Sequence, residues 1–310
     1  MERIAVCGSG TIGSCEATLI IGNGIPCTVV GHSERGLSRC RDAVAQNFDD
    51  LIREGLVAEK NKEAAMRLLT LTNDPAALKD ATFVFEAVAE DVAIKKEVYG
   101  NIEKLADPDA VIASCTSSID AEILAGLVSK PENLIVAHPF QPVHMLPLVE
   151  VVRQSKTSDG TLNRTMELLK ALHRETVVLN RSVPGFIVNR FAQALFRESI
   201  NLIEQGVTTP EDIDKAIRYA VGMRYASIGL LEYFDAVGFE LERAIEENVY
   251  PDLCRTTEIQ ETVRNGIASG KTGQKAGKGF YDWSEKDGED FRRREQAPYF
   301  AGVRKWNLPE

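Results

Sequence analysis

The segment that most constrains the fold is VCGSGTIG, close to the start of the sequence, where Gly8, Gly10 and Gly13 follow a short apolar run. A G-x-G-x-x-G pattern between a strand and a helix is typical of a dinucleotide-binding turn. Gly8 permits the tight turn, Gly10 lets a pyrophosphate approach the backbone, and Gly13 lets the helix pack on the sheet. Thr11 and Ile12 then supply N–H groups of the helix N-terminus, so we expect the phosphates to bind here.

The larger part of the chain predicts a doubly wound parallel sheet of the Rossmann α/β class. Up to residue 183, short apolar strands alternate with amphipathic helices, which is the pattern of a parallel sheet covered on both faces. From residue 184 onward the pattern is helical. We therefore predict a dinucleotide-binding Rossmann domain over residues 1–183 and a second, all-helical domain over residues 184–310.

Two helices of the second domain can be placed from their patterns. In FIVNRFAQALFRESINLIEQG, apolar residues recur at helical spacing and share one face: Ile187, Phe191, Leu195 and Leu202. In TTPEDIDKAIRYAVG, Thr209 is the expected N-cap, Pro210 the first helical residue, and Gly222 the stop. The tail after GKGFYDW is polar and rich in Arg and Glu.

Charge and cysteine usage exclude several classes of protein. The formal net charge of −10 argues against non-specific binding to nucleic acid or to an anionic membrane, because both need a basic face. No apolar run approaches the length of a membrane span. The six cysteines show no CxxC pair and no metal-ligand spacing, so we expect reduced thiols and no metal. A strand begins at once, which leaves no room for a signal peptide and predicts a cytoplasmic protein.

The end of the second strand bears on the choice of cofactor. A carboxylate at this position binds both ribose hydroxyls of NAD and repels the extra phosphate of NADP, but here the position is occupied by Gly31. Ser33 and Arg35, next to His32, can hold a 2′-phosphate by hydrogen bonding and charge. Glu34 counts against this if its side chain turns inward. We expect NADP, with NAD as the alternative.

The segment NLIVAHPFQPVHMLPLVEVV carries a candidate catalytic pair. His138 lies near the end of one strand, and Glu150 interrupts a second, otherwise apolar strand. A buried acid is costly without a partner, and two successive strands can bring these side chains together. The pair then resembles a general base with its orienting carboxylate. The alternative is a core histidine bonded to backbone, with the glutamate in a structural salt bridge.

Several motifs together resemble the 3-hydroxyacyl-CoA dehydrogenase family: GSGTIG, FEAVAEDVAIKKEVY, SCTSS, HPFQPVHMLPLVEVV, VPGFIVNR and GQKAGKGFYDW, in the order and approximate spacing of that family. The resemblance covers nearly the whole chain. It implies a Rossmann domain followed by a helical domain that forms the interface of a homodimer. It also implies oxidation of an L-3-hydroxy group to a ketone, or the reverse, with His138 as catalytic base and Glu150 as its partner.

The same resemblance implies roles for four further residues. Ser117 of SCTSS and Asn189 of GFIVNR match groups that hydrogen-bond the reacting oxygen, and Ser117 also lies at the cofactor. Physically, such groups hold the reacting carbon for hydride transfer and polarise the carbonyl. Glu90 and Lys95 match positions that contact the cofactor near its nicotinamide ribose.

The substrate class stays open between two alternatives. Family members that act on CoA thioesters commonly place lysines on the helix after the second strand, but Asp49, Asp50 and Glu54 occupy that region here, with Arg53 as the basic residue. Carboxylates near a phosphate would repel it. The family default is a 3-hydroxyacyl-CoA, and the alternative is a free 3-hydroxy acid, keto acid, keto ester or diketone.

Two further classes of function are compatible with the sequence. One is a crystallin-like structural protein, because a lens crystallin shares this fold; an intact histidine–glutamate pair disfavours it. The other is a dinucleotide-binding sensor that has lost its chemistry. Such a sensor would be stabilised by NADP without transferring hydride.

Overall fold

A computed structural model describes residues 2–305, which divide into two compact units. The first contains the residues up to Ile187 together with the segment from Arg292 onward, and the second is Val188–Phe291. The predicted limits were 1–183 and 184–310. The main difference is the C-terminal segment, which belongs to the first unit because Phe300 and Val303 pack in a buried cluster with Leu51 and Met145.

The first unit is built on one eight-stranded sheet. Its strands lie in the order β3-β2-β1-β4-β5-β6-β7-β8, and all neighbours are parallel except the antiparallel pair β6 and β7. The strands are β1 (Ile4–Cys7), β2 (Cys27–Val30), β3 (Leu69–Thr72), β4 (Phe83–Glu86), β5 (Val111–Ser114), β6 (Leu134–Pro139), β7 (Leu148–Val152) and β8 (Glu175–Leu179). This confirms the predicted Rossmann class. The sequence patterns did not predict β3 or the reversed direction of β7.

Side chains alternate between the two faces of this sheet, which gives two cores. On β4, Phe83 and Phe85 join one buried cluster, whereas Val84 joins the other. This is the period of two that a strand requires. Because helices cover both faces, both sets of side chains are buried, and the parallel strands read as continuous apolar runs in the sequence.

Six helices of the first unit connect the strands, and their starts follow ordinary capping rules. Ser33 caps the second, Asp91 the fourth and Ser158 the sixth, each accepting a backbone N–H of the first turn. The helices are α1 (Thr11–Gly22), α2 (Glu34–Arg53), α3 (Glu59–Met66), α4 (Val92–Leu105), α5 (Ala121–Ala125) and α6 (Asp159–Ala171).

The second unit is helical and has little core of its own. Its helices are α7 (Val188–Glu204), α8 (Pro210–Ala216), α9 (Gly222–Tyr225), α10 (Leu230–Val237), α11 (Phe239–Val249) and α12 (Glu261–Ala268); the last helix of the chain, α13 (Gly288–Lys305), begins in this unit. Thr209 caps α8 as predicted. The prediction for Gly222 was wrong, because a π-helical turn over Ile217–Val221 carries the backbone on into α9. Ile200 is the one buried residue within Val188–Phe291.

None of the helices in residues 2–305 is both long and apolar enough to cross a lipid bilayer. The longest in the first unit, α2, has buried residues on one side, including Val44 and Phe48, and charged residues on the other. Its apolar stripe faces the sheet, as expected of a helix that covers one face of an α/β core.

Candidate functional site

A cleft of about 760 Å³ opens at the carboxyl ends of β1, β2 and β4, where the strand order reverses around β1. This is the place where open α/β sheets bind ligands. Gly8 has φ +121°, and a Cβ there would lie 2.3 Å from the carbonyl oxygen of Ala87. A Cβ on Gly13 would lie 2.0 Å from the Gly8 oxygen, whereas nothing lies within 4 Å of a Cβ on Gly10. The loop is therefore tightly packed beneath and open above Gly10, as a bound pyrophosphate requires.

The residues predicted for the cofactor in the glycine loop and after β2 do not all line the cleft. Those that line the cleft are Gly8, Gly10, Thr11, Ile12 and His32. Gly13 packs beneath the loop instead. The rest lie elsewhere: Ser33 accepts the Gly36 N–H at 3.2 Å to cap α2, and Arg35 is exposed on the first turn of that helix. A Cβ at Gly31 would lie 2.7 Å from Leu37 Cδ2 and 2.9 Å from Ser9 Oγ, so a larger residue there would require both of these side chains to shift.

The far wall of the cleft was missed by the sequence analysis. It contains Asn73 and Pro75, which follow β3, and Ile94, Glu97 and Asn101 on α4. The sequence patterns did not indicate Asn73 and Pro75 because β3, which they follow, was not predicted. The alternating run LTLT followed by the turn residues NDP is the signal that predicts this strand and its end.

His138 and Glu150 lie directly opposite each other in the antiparallel pair of β6 and β7. His138 Nδ1 and Glu150 Oε2 are 2.9 Å apart, and the exposed fractions of the two residues are 6% and 0%. Cross-strand partners point to the same face of a sheet, which explains why an acid placed twelve positions later in the chain meets the imidazole. With Nδ1–H donated to the carboxylate, Nε2 is the nitrogen that can take a proton.

Two segments close around this pair. The Ile187 N–H donates to Glu150 Oε1 at 2.8 Å, so both carboxylate oxygens have partners. The rings of Phe140 and Phe186 lie 4.7 and 5.5 Å from the imidazole, measured between centroids. The motif VPGFIV thus supplies both an N–H and an apolar wall to the site.

Glu90 holds the loop that carries Ser117. Its Oε1 accepts the Thr116 hydroxyl, the Ser117 N–H at 3.1 Å and the Ser118 N–H at 3.2 Å, and its Oε2 lies 3.3 Å from Lys95 Nζ. Burial by itself raises the pKa of Glu90, but the hydrogen bond from Thr116 and the charge of Lys95 outweigh it and lower the pKa. The carboxylate is therefore ionised at neutral pH. The Ser117 side chain itself is exposed.

Lys95 and Asn189 lie in surroundings that the sequence did not reveal. Lys95 is 1% exposed, and its ammonium group bonds to carboxylates rather than to solvent. Asn189 is half-buried in the first turn of α7, in the second unit. Of the predicted site residues, the structure places His138 in contact with Glu150, and Glu90 in contact with the backbone of Ser117.

The cysteines form neither disulfides nor a metal centre in the part of the chain that the structure describes. All six are free thiols, and four are buried. Burial raises the pKa of Cys7 to about 12 and that of Cys15 to about 11, so these thiols stay protonated. No group of three or more His, Cys, Asp and Glu side chains within residues 2–305 is arranged to hold a metal ion.

Glu16 is a buried carboxyl group that no sequence pattern singled out. It lies on α1, one turn after Ile12, and is 3% exposed. Burial raises the pKa of Glu16 to about 7, against the opposing positive charge of Arg174. Arg174 donates to the carbonyl oxygens of Val143 and Leu146 at 3.1 and 3.2 Å. The carboxyl group consequently ionises near neutral pH inside the first unit.

The glycine loop, the cleft at the strand reversal and the phosphate-accepting helix end define a Rossmann dinucleotide-binding protein. Comparison with known families narrows this class. Residues 3–182 match the model of the 3-hydroxyacyl-CoA dehydrogenase NAD binding domain, and residues 185–283 match the C-terminal domain of the same enzymes. The chain belongs to the 3-hydroxyacyl-CoA dehydrogenase family and is an oxidoreductase that uses a nicotinamide cofactor.

Three relatives illustrate the range of the family. A 3-hydroxybutyryl-CoA dehydrogenase of Mycobacterium tuberculosis is 31% identical over 91% of this chain and 99% of its own. An L-carnitine dehydrogenase of Oceanobacillus iheyensis is 33% identical over 77% of this chain and 76% of its own. The crystal structure of 5-formyl-3-hydroxy-2-methylpyridine 4-carboxylic acid 5-dehydrogenase, described as an NAD+-dependent dismutase, superimposes with a TM-score of 0.89 at 27% identity, covering 100% of both chains.

The raised pKa of Glu16 predicts a specific pH dependence of stability. The folded state favours the neutral carboxyl, so its contribution is fully present below about pH 4.5 and is lost as the pH rises through about 7. We expect Glu16→Gln to remove this loss of stability with rising pH and to be more stable than the natural protein by about 3 kcal/mol at pH 8. Urea unfolding at several pH values between 4.5 and 8 measures it.

The matched control is Glu167→Gln, which changes an exposed carboxylate of the same unit. Its stability should follow that of the natural protein at every pH. If Glu16→Gln also follows the natural curve, the Glu16 carboxyl is not held neutral by burial.

Proposed function

We propose that this protein transfers hydride between a nicotinamide cofactor and the 3-hydroxy or 3-keto group of its substrate, with His138 as general acid and base. The observation that carries the proposal is the buried contact of 2.9 Å between His138 Nδ1 and Glu150 Oε2. A crystallin-like structural role would not require this pair, and neither would a sensor without chemistry.

The chain's own residues have distinct tasks in this proposal. When bound, the cofactor accepts or donates the hydride. Glu150 fixes the imidazole tautomer and stabilises the imidazolium, while His138 Nε2 takes the hydroxyl proton in oxidation and returns it in reduction. Ser117 and Asn189 are proposed to hydrogen-bond the reacting oxygen, which holds the carbon and polarises the carbonyl.

The glycine loop fits a dinucleotide. The open space above Gly10 and the cleft of about 760 Å³ support binding of the pyrophosphate by Gly8, Gly10, Thr11 and Ile12, with Gly13 packing beneath. We retain Glu90 and Lys95 as proposed neighbours of the nicotinamide ribose. The hydrogen bonds of Glu90 to the loop of Ser117 support its place at that end of the cofactor.

NADP is the proposed form of the cofactor. The support is the absence of an acid at Gly31 and the exposed guanidinium of Arg35, with His32 and Ser33 between them. NAD is the second candidate. It is favoured by Glu97, which places a negative charge on the cleft wall, and by the name of the matching family domain.

The substrate is proposed to be a 3-hydroxyacyl-CoA, the family default, or a free 3-hydroxy acid. The second candidate rests on a specific observation: two basic residues of this region, Arg53 and Lys62, are already paired with carboxylates. Arg53 lies 2.9 Å from Asp50, and Lys62 contacts Asp49. Full-length similarity to a dehydrogenase of a free pyridine carboxylic acid gives further support.

A homodimer through the helical unit is part of the proposal. Several large apolar side chains of this unit are exposed, including Leu231 (80%), Phe239 (71%) and Tyr219 (66%). The α7 face with Phe191 and Leu195 is exposed as well. Apolar surface of this extent marks an association site, and a second copy offers the same surface. A cytoplasmic location and a small-molecule substrate, rather than a membrane or nucleic acid, complete the proposal.

Removal of the base should separate chemistry from binding. We expect His138→Gln to lower kcat by at least about 1000-fold, because Gln cannot exchange the proton, while the dissociation constant of the reduced cofactor changes by less than about threefold. Stopped-flow absorbance at 340 nm and fluorescence titration measure the two quantities. Equal losses of turnover and cofactor affinity would contradict the assignment of the base.

Arg35 should distinguish the two cofactors. We expect Arg35→Ala to weaken NADPH by about tenfold or more, since a charge-assisted bond to the 2′-phosphate is lost, and to leave NADH nearly unchanged. Titration of protein fluorescence with each nucleotide measures this. Arg39→Ala, at an exposed position one turn further along α2, is the control and should affect neither. An equal effect of Arg35→Ala on both nucleotides would rule out the 2′-phosphate contact.

Initial rates with acetoacetyl-CoA and with a free 3-keto ester, each with NADH and NADPH, decide the substrate class. If the CoA thioester is the substrate, its kcat/KM should exceed that of the free ester by about 100-fold or more, because the CoA moiety adds binding energy. The reverse order identifies a free acid or ester. No turnover with any of the four pairs would favour the non-catalytic alternatives.

A further inference from the structure

Glu86, the last residue of β4, is a fully buried carboxylate to which the sequence motifs gave no role. Its exposed fraction is 0%. Oε2 accepts the Ser114 hydroxyl at 2.7 Å and the Tyr99 hydroxyl at 2.8 Å, and Oε1 accepts the Val88 N–H at 3.0 Å. A carboxylate without water is stable only when its oxygens are occupied in this way. Glu86 therefore ties β5 and α4 to the end of β4.

Lys95 completes the network from α4. Its ammonium nitrogen lies 2.8 and 2.9 Å from the two oxygens of Glu86 and 3.3 Å from Glu90 Oε2. An ammonium group has three N–H donors, and three carboxylate oxygens surround this one. Lys95 thus connects the buried carboxylate to the carboxylate that holds the Ser117 loop.

Glu86 is also connected to the glycine loop, through its hydrogen bond with Val88. The Val88 N–H that Glu86 accepts belongs to the turn on which the glycine loop rests, since Ala87 N–H donates to the Cys7 oxygen at 2.8 Å. A Cβ on Gly8 would lie 2.3 Å from the Ala87 oxygen. The position of this turn therefore limits where the glycine loop can lie.

We propose that Glu86 is a positioning residue that, through Lys95 and Glu90, fixes the Ser117 loop in register with the glycine loop. A serine that bonds the reacting oxygen must be held to within a fraction of an ångström relative to the cofactor. This inference rests on the proposed role of Ser117. The network acts through hydrogen bonds to the loop backbone and not by contact with substrate.

The first test is amide hydrogen exchange of the protein without cofactor, followed in peptides that span residues 115–120. In Glu86→Gln the amide faces the Lys95 ammonium, so Lys95 and Glu90 should shift and the N–H groups of Ser117 and Ser118 should lose protection. We expect exchange in this segment to accelerate about tenfold or more, with peptides of α6 unchanged. Unchanged exchange at 115–120 overturns the proposal.

The second test is a double-mutant cycle with Ser117→Ala, read as kcat/KM. Glu86→Gln alone should lower kcat/KM by roughly 10- to 100-fold, mostly in kcat. In the Ser117→Ala background it should cost less than about threefold, because the group it positions is gone. Additive losses would show that Glu86 does not act through Ser117 and would overturn the proposal.

Glu2→Gln is the matched control, because it removes a carboxylate paired with Arg164 at 2.8 Å, before the start of β1. It should leave exchange at residues 115–120 unchanged, and any loss it causes should add to that of Ser117→Ala. If Glu86→Gln does not fold, Glu86→Gln/Lys95→Met removes both buried charges together and is read by hydrogen exchange at residues 115–120. Exchange is measured without turnover. An inactive natural protein would therefore reject the proposed function, and the exchange result would still decide whether Glu86 positions the Ser117 loop.

Discussion

The hydrogen bond between His138 and Glu150 is the interaction on which the rest of the site depends. A carboxylate with 0% exposure is costly unless both oxygens are occupied. One oxygen meets the imidazole and the other meets the Ile187 N–H. The pair therefore specifies the antiparallel register of β6 and β7 and the path of the chain toward α7. Both the stability of the buried Glu150 carboxylate and the proposed chemistry require its contact with His138.

A second set of buried charges lies on the same sheet, two strands away. Glu86 ends β4, and Lys95 and Glu90 link it to the loop after β5. Removal of one buried partner leaves an unpaired charge, which costs far more than the intact pair contributes. Such a network gives definite positions to loops that otherwise lie at the surface, and a site for hydride transfer needs this rigidity.

The two units differ in how they bury apolar surface. The first has a buried cluster on each face of its sheet. The second, taken alone, buries Ile200 and exposes many large apolar side chains. A helical array of about 100 residues usually requires a core of its own, so the exposed apolar faces are the physical reason for the proposed association of two copies.

The sequence by itself determined the glycine loop, the alternation of strands and helices, the start of α8 and the pairing candidates His138 and Glu150, because each depends on local spacing or on one costly residue in an apolar run. Only the tertiary structure decided the direction of β7, the existence of the cleft wall after β3, and the burial of Lys95 between Glu86 and Glu90. These features depend on contacts between residues far apart in the chain, which no local period records.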